Sequence, residues 1–250
     1  MAQSGNGRIR LFNDFFSVGS LLAFTTDPGA GVVYPLGDFF GGGEGVEDND
    51  AGFVSSADVS GAVRITSGNT DADTTFIGTD IGLDVGLNGP IVLEARVRLP
   101  DLDTKEIFFG LTSILSPDEQ LEDIVINASA TTITMPADLI GFYLSDELTT
   151  VAGDWHSIYN GGTATATTTT TNGQLNNVAV ANEWQVLRLE VMTNGTAEWY
   201  IDGVLKKTVE NAASTTTNMA VCLAAAANTT ELVVMECDYL MVEANRDWTV

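Results

Sequence analysis

Apolar and polar residues alternate one by one along several stretches of this chain, which is the pattern of a β-strand with one buried and one solvated face. The clearest stretch, WQVLRLEVMTNGTAEWYIDGVLKKTVE, spans residues 184–210. Leu187, Leu189 and Val191 alternate there with charged residues, and Trp199 falls on the apolar side of the next strand. A period of two excludes a helix, so the pattern predicts a sheet and places Trp199 in its core.

Two turn signals divide this stretch into three strands. Asn194-Gly195 and Asp202-Gly203 are dipeptides that tolerate positive φ at both central positions of a tight hairpin turn. Alternating segments flank each turn, so the sequence predicts a three-stranded antiparallel meander.

Three further segments carry local signals. Residues 93–99 alternate in the same way and predict another strand. Ser116-Pro117-Asp118-Glu119 is a capping box with proline at the first helical position, which predicts a short helix to about Val125. Residues 161–173, GGTATATTTTTNG, are β-branched between glycines and predict an exposed strand or hairpin edge.

The tryptophan-led strand, the Asn-Gly turn, the strand EWYIDG and the polar strand after it resemble the concanavalin A-like, laminin-G-like jelly rolls. Asp238, Tyr239, Val242 and Arg246 fit the closing strand of such domains. Upstream, LEARVRL, IFFGL and IGFYLSDE follow an order that resembles structural proteins of tailed-phage virions. The resemblance implies an all-β antiparallel β-sandwich of the jelly-roll type with an N-terminal arm and one short helix.

Residues 17–250 are assigned to the jelly-roll domain, and residues 1–16 to an N-terminal arm or a first strand. Arg8 and Arg10 are the only cations before Arg64, so this segment is locally basic on an acidic chain. An arm can gain affinity for a neighbouring subunit through backbone pairing and apolar anchors. The same residues are equally well explained as the first strand of the core. The candidate docking residues are Arg8, Arg10, Leu11, Phe12, Phe15 and Phe16.

Composition fits one large sandwich, and charge restricts its partners. The chain has 250 residues, is 44% hydrophobic and carries a formal net charge of -24. Such a surface repels phosphate backbones and anionic lipids, which argues against nucleic acid and membranes and favours basic proteins or cations.

The start of the sequence has no apolar stretch of signal-peptide length, and the longest apolar run, residues 219–227, is too short to span a bilayer. Synthesis in the cytoplasm is therefore expected.

Catalytic signals are few. A glycoside hydrolase of this fold needs two carboxylates on one strand face. The segment nearest to such a motif, Glu236-Cys237-Asp238, has no second glutamate at the expected spacing. His156 is the one histidine and has no matching serine elbow or soft metal ligands, so a structural or surface role is expected. Cys222 and Cys237 would lie opposite each other if their strands paired around residues 229–230, but cytoplasmic synthesis favours two buried thiols. The chain is expected not to be an enzyme.

Acidic loops offer oxygen ligands at close spacing. Laminin-G-like jelly rolls often bind calcium through such loops, and neither acidic loop here matches the twelve-residue EF-hand. A chain this acidic also produces solvated clusters by chance, so no cofactor is expected and calcium stays an open alternative. The candidate calcium ligands are Glu47, Asp48, Asp50, Asp71 and Asp73.

Carbohydrate binding is the second functional alternative. It requires exposed aromatic side chains, and the candidates are Trp155, Tyr159 and Tyr200, although aromatic residues of sandwiches are more often in the core.

The function that the resemblance implies is a non-enzymatic capsid decoration or cement protein on the exterior of a bacteriophage virion, made in the host cytoplasm. Its partner would be the major capsid protein, and a homotrimer is the first choice of oligomer by family analogy. A host-adhesion lectin or fibre protein on the same fold is the alternative, followed by a divergent glycoside hydrolase.

Overall fold

Two antiparallel β-sheets make up most of the computed structural model, which describes residues 7–16, 32–44, 51–56, 61–151 and 153–247. The sheets pack face to face as a jelly-roll β-sandwich, so the predicted all-β fold class is confirmed. The elements follow the chain in this order: β1 (Arg8–Asn13), β2 (Tyr34–Leu36), β3 (Phe39–Gly42), β4 (Gly52–Ser55), β5 (Val63–Thr66), β6 (Thr74–Gly78), β7 (Leu83–Asp84), α1 (Val85–Asn88), β8 (Ile91–Arg98), β9 (Lys105–Thr112), α2 (Leu121–Ile124), β10 (Ile126–Ser129), β11 (Thr132–Thr134), β12 (Leu139–Ser145), β13 (Asp154–Asn160), α3 (Thr170–Gly173), β14 (Gln174–Val178), β15 (Trp184–Val191), β16 (Ala197–Ile201), β17 (Val204–Val209), β18 (Asn218–Ala227) and β19 (Val234–Asn245).

Each sheet mixes early and late strands. Sheet I has the order β17-β16-β15-β8-β19-β5-β4, and β1 pairs with the second half of β19. Sheet II has the order β14-β13-β12-β9-β18-β6-β3-β2, and β7 pairs with β18. The hairpin β10-β11 stands apart from both. Strands that are distant in sequence therefore meet at the centre of each sheet.

The predicted meander is present as β15-β16-β17 in sheet I. Leu189 lies opposite Trp199, and Val191 lies opposite Ala197. Gly195 in the first turn has φ of 79°, a left-handed conformation that glycine adopts without a steric penalty. The local turn chemistry and the alternation of the strands thus produce the structure that the sequence predicted.

The main core lies between the two sheets. Alternate residues of sheet I point inward against the inner face of sheet II, where Phe109, Phe142 and Trp155 are fully buried. Trp199 is also fully buried, and its Nε1 donates a hydrogen bond to the carbonyl of Gly141 at 2.8 Å. The largest aromatic side chains therefore tie the meander of sheet I to the centre of sheet II.

A second apolar cluster covers the outer face of sheet II. Phe76, Phe108 and Tyr143 point outward from the sheet and are buried beneath Ile124 and Ile133. The covering residues belong to the segment between β9 and β12, which contains α2 and β10-β11. Sheet II is consequently buried on both faces, as its almost continuously buried strands require.

Two predictions in this covering region are wrong in detail. The helix is one turn, Leu121–Ile124, because Glu119 uses its side chain to accept from the Ser116 N–H at 2.7 Å in a turn before the helix begins. Residues 161–173 form no long strand, because Thr167 hydrogen-bonds to the carbonyls of Tyr159 and Ser157 in β13 and the Thr170 N–H donates to the carbonyl of Thr131 in the β10-β11 turn. Thr167 and Thr170 are buried by these contacts, so the segment is not the exposed edge that the sequence predicted.

Strand β1 belongs to sheet I. Its six residues pair in antiparallel register with β19, and Arg10 forms an ion pair with Glu243 at 3.3 Å. Ile9 and Leu11 pack against the main core. Within the segment assigned to an arm or a first strand, residues 8–13 thus lie in the body of the sandwich.

Both cysteines are buried free thiols, as predicted. The facing register is wrong, because Cys222 lies in β18 of sheet II and Cys237 in β19 of sheet I. The chain crosses between the sheets at residues 228–233 and does not turn back within one sheet.

We expect Trp199→Ala to lower the free energy of unfolding by about 3–5 kcal/mol, because it removes a fully buried indole and leaves a cavity. Trp199→Phe keeps most of the volume but loses the hydrogen bond to the Gly141 carbonyl, so a smaller loss of about 0.5–1.5 kcal/mol is expected. Urea unfolding of the three proteins measures both values. An alanine variant as stable as the parent would contradict the placement of this side chain.

Candidate functional site

The three aromatic candidates for glycan contact have different environments. Trp155 is fully buried and donates its Nε1 hydrogen to Gln185 Oε1 at 2.9 Å. Tyr159 is buried against Trp199. The suggestion that these two side chains contact a glycan is corrected, because alternation along β13 turns both into the core. Tyr200 points outward from β16, and its hydroxyl donates to Glu198 at 2.5 Å.

The calcium candidates are not brought together. Glu47, Asp48 and Asp50 lie outside the described residues. Asp71 is exposed, whereas Asp73 is buried and accepts from the Thr70 N–H in a tight turn at 2.8 Å. Within the described ranges, no three His, Cys, Asp or Glu side chains are grouped as a metal site would require.

The candidate docking residues divide between surface and core. Phe15 is 1% exposed, so its suggested docking role is corrected: it packs inside the sandwich. Phe12 is 44% exposed and stacks on Tyr239, and Phe16 is 73% exposed. Leu11 packs partly into the core, while Arg8 and Arg10 extend from the outer side of β1.

The outer face of sheet I is a network of paired charges, here called the arginine face. Arg98 and Arg64 both bind Glu236, Arg64 at 3.1 Å, and Arg188 bridges two glutamates at 2.9 and 2.7 Å. The guanidinium groups of Arg96 and Arg98 lie over the Trp184 ring at 4.9 and 4.5 Å from its centroid. Its charged members are Arg8, Arg10, Arg64, Arg96, Arg98, Arg188, Glu94, Glu190, Glu198, Glu236, Asp238 and Glu243.

The carboxylates nearest to a hydrolase motif belong to this network. Glu236 is buried between two guanidinium groups, and Asp238 accepts from Arg96 Nη1 at 2.7 Å. Alternation along β19 places both carboxylates on the outer face, and a bulge between Cys237 and Tyr239 turns Tyr239 to the same face. Both act as acceptors of charged hydrogen bonds that hold neighbouring strands together.

A second group of ionisable residues is sealed under the cover of sheet II. Burial raises the pKa of Glu106 to about 8, and the nearby carboxylates of Glu147 and Glu122 reinforce the shift. Ser145 Oγ donates to Glu106 Oε1 at 3.3 Å. Burial lowers the pKa of His156, so this imidazole is neutral at pH 7. These groups lie within the packed second cluster and its cover.

One end of the sandwich forms an open cleft of about 220 Å³, here called the end cleft. Three separate loops build it: the chain after β13, the turn between β15 and β16, and the link from β17 to β18. Its lining consists of residues 161–163, Asn194, Asn211 and residues 213–216.

Backbone contacts fix the walls of the end cleft. Gly161 and Ala213 form an antiparallel bridge, and the Ala213 N–H donates to the Gly195 carbonyl at 3.0 Å. The Gly162 α-carbon is so close to the Asn211 carbonyl oxygen that a Cβ would lie 2.1 Å from it. Only glycine fits there, so the loop after β13 packs closely against the link from β17 to β18.

Several polar side chains that line this cleft have hydrogen-bond donors or acceptors that no other group of the described chain uses. Asn194 Oδ1 accepts from the Thr196 N–H at 3.0 Å, which leaves its amide hydrogens free. The side chains of Asn211, Thr163 and Thr215 make no hydrogen bond within the described part of the chain. The lining contains no charged residue, although the protein carries 34 carboxylate side chains. The arrangement can bind a small, uncharged, polar ligand.

Sequence reasoning identified one component of this cleft, the Asn194-Gly195 turn, but assigned it only a structural role. The other components are separated from it by many residues, and low-complexity residues 161–163 were assigned to an exposed edge. Their proximity results from the pairing of Gly161 with Ala213, for which no local motif exists.

Searches with protein-family models and against curated proteins found no match to this sequence. Among solved structures, the potassium-bound carbohydrate recognition domain of Emp46p superposes with a TM-score of 0.52 at 10% identity, covering 82% of this chain and 88% of that one. An endo-acting O-glycanase of the human gut microbiota, which initiates mucin breakdown, gives 0.53 at 10% identity over 93% and 97%. A glycoside hydrolase family 16 endo-glucanase from Bacteroides ovatus gives 0.49 at 12% identity over 76% and 84%.

These neighbours are concanavalin A-like jelly-roll proteins, and the likeness shows that fold. The prediction that the chain is not an enzyme is contradicted, because the O-glycanase has the same architecture over nearly the whole chain. The fold gives no ground for excluding glycoside hydrolysis. None of these three neighbours is a virion protein, so the capsid assignment stays a prediction.

In the described ranges, no helix has the length and apolar character needed to cross a membrane.

We expect Glu106→Gln to change how stability depends on pH. The folded-state pKa of about 8 lies above the ordinary 4.5, so folding retains a proton and the parent loses stability as the pH rises from about 4.5 to 8. The glutamine variant lacks this loss, and its advantage should grow by roughly 1.4 kcal/mol per pH unit in that window. Urea unfolding at several pH values tests this, and parallel pH profiles would refute it.

Proposed function

We propose that this protein binds neutral glycans through the end cleft. The observation that carries the proposal is an uncharged cleft in which the side chains of Asn211, Thr163 and Thr215 make no hydrogen bond within the described part of the chain. Sugar hydroxyls both donate and accept hydrogen bonds, and asparagine and threonine side chains match them in both senses. A ligand that satisfies several of these groups at once gains both affinity and orientation.

The size and charge of the site define the ligand further. At about 220 Å³ the cleft is smaller than the roughly 300–1,000 Å³ of typical small-molecule pockets, so it suits one sugar ring at a chain end or branch. The net charge of -24 repels sulfated and uronic-acid polymers at long range. Neutral glycans approach without this penalty. Carbohydrate recognition on the same fold by the Emp46p domain supports the proposal.

Binding and hydrolysis are distinguishable with the same ligands. A glycan array containing neutral and anionic members identifies a ligand, and calorimetry gives its affinity. Incubation of that glycan with the protein, followed by measurement of new reducing ends, then reveals whether the bound glycan is also cleaved. Retention of no neutral glycan on the array would refute the proposed function.

We expect Asn211→Asp to weaken glycan binding about tenfold or more. The substitution keeps the size of the side chain but replaces two amide donors with a charged acceptor, and an unmade hydrogen bond in a binding site costs about 1–3 kcal/mol. Calorimetry with the glycan found on the array measures the change.

Asn176→Asp is the matched control for this variant. Asn211 and Asn176 are both exposed and both have left-handed backbone conformations, with φ of 54° and 53°. Asn176 lies in β14, outside the end cleft, so its substitution should leave the affinity unchanged. Equal weakening in the two variants would show that charge alone is responsible and would contradict the assignment of the site.

We propose, as a second candidate function, the one that the sequence resemblance implied: a decoration protein on the capsid exterior whose partner is the major capsid protein. Phe16 supports it, since an aromatic side chain that is 73% exposed beside a strand terminus is an available anchor. Arg8 and Arg10 lie on β1, which ends at Asn13 shortly before Phe16. The acidic body also favours a basic partner surface.

Under this second proposal, Phe16→Ala should reduce co-purification of the protein with intact phage heads at least tenfold. A point substitution is preferable to removal of residues 1–16, because that removal would also take Ile9 and Leu11 from the core. Leu232→Ala, at a residue 43% exposed in the loop before β19, serves as the control. Head binding at full strength by Phe16→Ala would contradict this role.

A further inference from the structure

The arginine face has the composition of a protein–protein interface. Its cations are arginines, and Phe12, Trp184, Tyr200, Tyr239 and Met241 lie among them on the outward positions of their strands. Aromatic residues, methionine and arginine are the side chains enriched in interfaces, whereas lysine, glutamate and aspartate are depleted. Most carboxylates of this face are paired with its arginines. Of the three lysines, Lys105 belongs to sheet II and Lys207 lies over the ring of the inward Tyr159, while Lys206 in the edge strand β17 borders the face.

Charge is distributed unevenly over the molecule. Among the described residues, the arginine face holds six of the chain's ten cations and only six of its 34 carboxylates, so it is neutral. The whole formal surplus of -24 therefore belongs to the rest of the chain. Two copies of this protein repel each other in most orientations, and the repulsion is weakest when their arginine faces meet.

The face is also large enough for stable association. Seven neighbouring strands at about 4.8 Å spacing give a width of roughly 29 Å, and eight-residue central strands are about 26 Å long. The product, about 750 Å², is close to the roughly 800 Å² that each partner contributes to a standard interface.

We propose that the arginine face is the interface of a two-fold symmetric homodimer. A two-fold axis presents the same patch on both copies, and a patch with equal numbers of cations and anions is complementary to itself. The stacked Phe12 and Tyr239 with the neighbouring Met241 form an apolar anchor on β1 and β19, and the ion pairs of β8, β15 and β19 lie beside it. A basic partner protein would bind the acidic surface elsewhere, so the neutral face selects a second copy.

Sedimentation equilibrium of the full chain tests the proposal at several protein concentrations in about 0.15 M and about 0.01 M salt. We expect a mass of two chains of 26.4 kDa at the higher salt. Dissociation should increase at the lower salt, because the Debye length grows from about 8 Å to about 30 Å and leaves the acidic bodies unscreened. A mass of one chain at every concentration, or a mass of three chains, overturns the proposal.

Met241→Lys and Val186→Lys place a charge on two outward positions of the face, in β19 and β15. Both should shift the protein to the monomer by at least a hundredfold in dissociation constant. Ile81→Lys is the matched control, because it adds the same charge at a residue 44% exposed between two strands of sheet II, and it should stay dimeric. Thermal melts verify that each variant is folded. A folded Met241→Lys or Val186→Lys protein that dimerises like the control overturns the proposal.

Discussion

The burial of sheet II on both faces is the constraint on which the rest of this structure depends. Strands β9, β12 and β18 have apolar residues on both sides, so the inner face packs against sheet I and the outer face needs a cover of its own. The segment between β9 and β12 supplies most of that cover, and Leu148 and Val151 in the link between β12 and β13 add to it. Long loops that would otherwise be free to carry function therefore serve as structural parts. Recognition is left to the outer face of sheet I and to the ends of the sandwich.

The same constraint separates the carboxylates that have unusual environments. Glu106 lies beneath the cover, where burial keeps it protonated at pH 7, whereas Glu236 lies on the opposite outer face between two guanidinium groups. Retaining glycosidases need two carboxyl groups about 5 Å apart. Glu106 and Glu236 are separated by the thickness of two sheets that pack about 10 Å apart, so they do not form such a pair. The carboxylate next to the end cleft is Asp138, which accepts from Thr217 Oγ1 at 2.8 Å.

How far the sequence predicts the structure depends on how local each determinant is. The meander followed from two turn dipeptides and strict alternation, which involve neighbouring residues only. Trp155 and Tyr159 were candidates for the surface because a strand buried on both faces gives no alternation from which to identify its solvent side. The cover of sheet II was missed for the same reason, since its hairpin and its one-turn helix gain their positions only from the sheet beneath them. The end cleft was not predictable, because three loops meet there through backbone contacts between glycines and distant carbonyls.

The net charge of the protein relates the proposed glycan-binding cleft to the proposed dimer interface. A cleft of about 220 Å³ with a handful of neutral hydrogen bonds offers modest affinity, because each bond replaces one made to water. Dimerisation through the arginine face would leave both end clefts open, since the cleft is built from turns at the strand ends and not from the outward side chains of sheet I. Two clefts on one rigid body bind a branched or repetitive glycan with an effective concentration that raises the overall affinity without new contacts. The neutral face is then the feature that allows so acidic a protein to become bivalent.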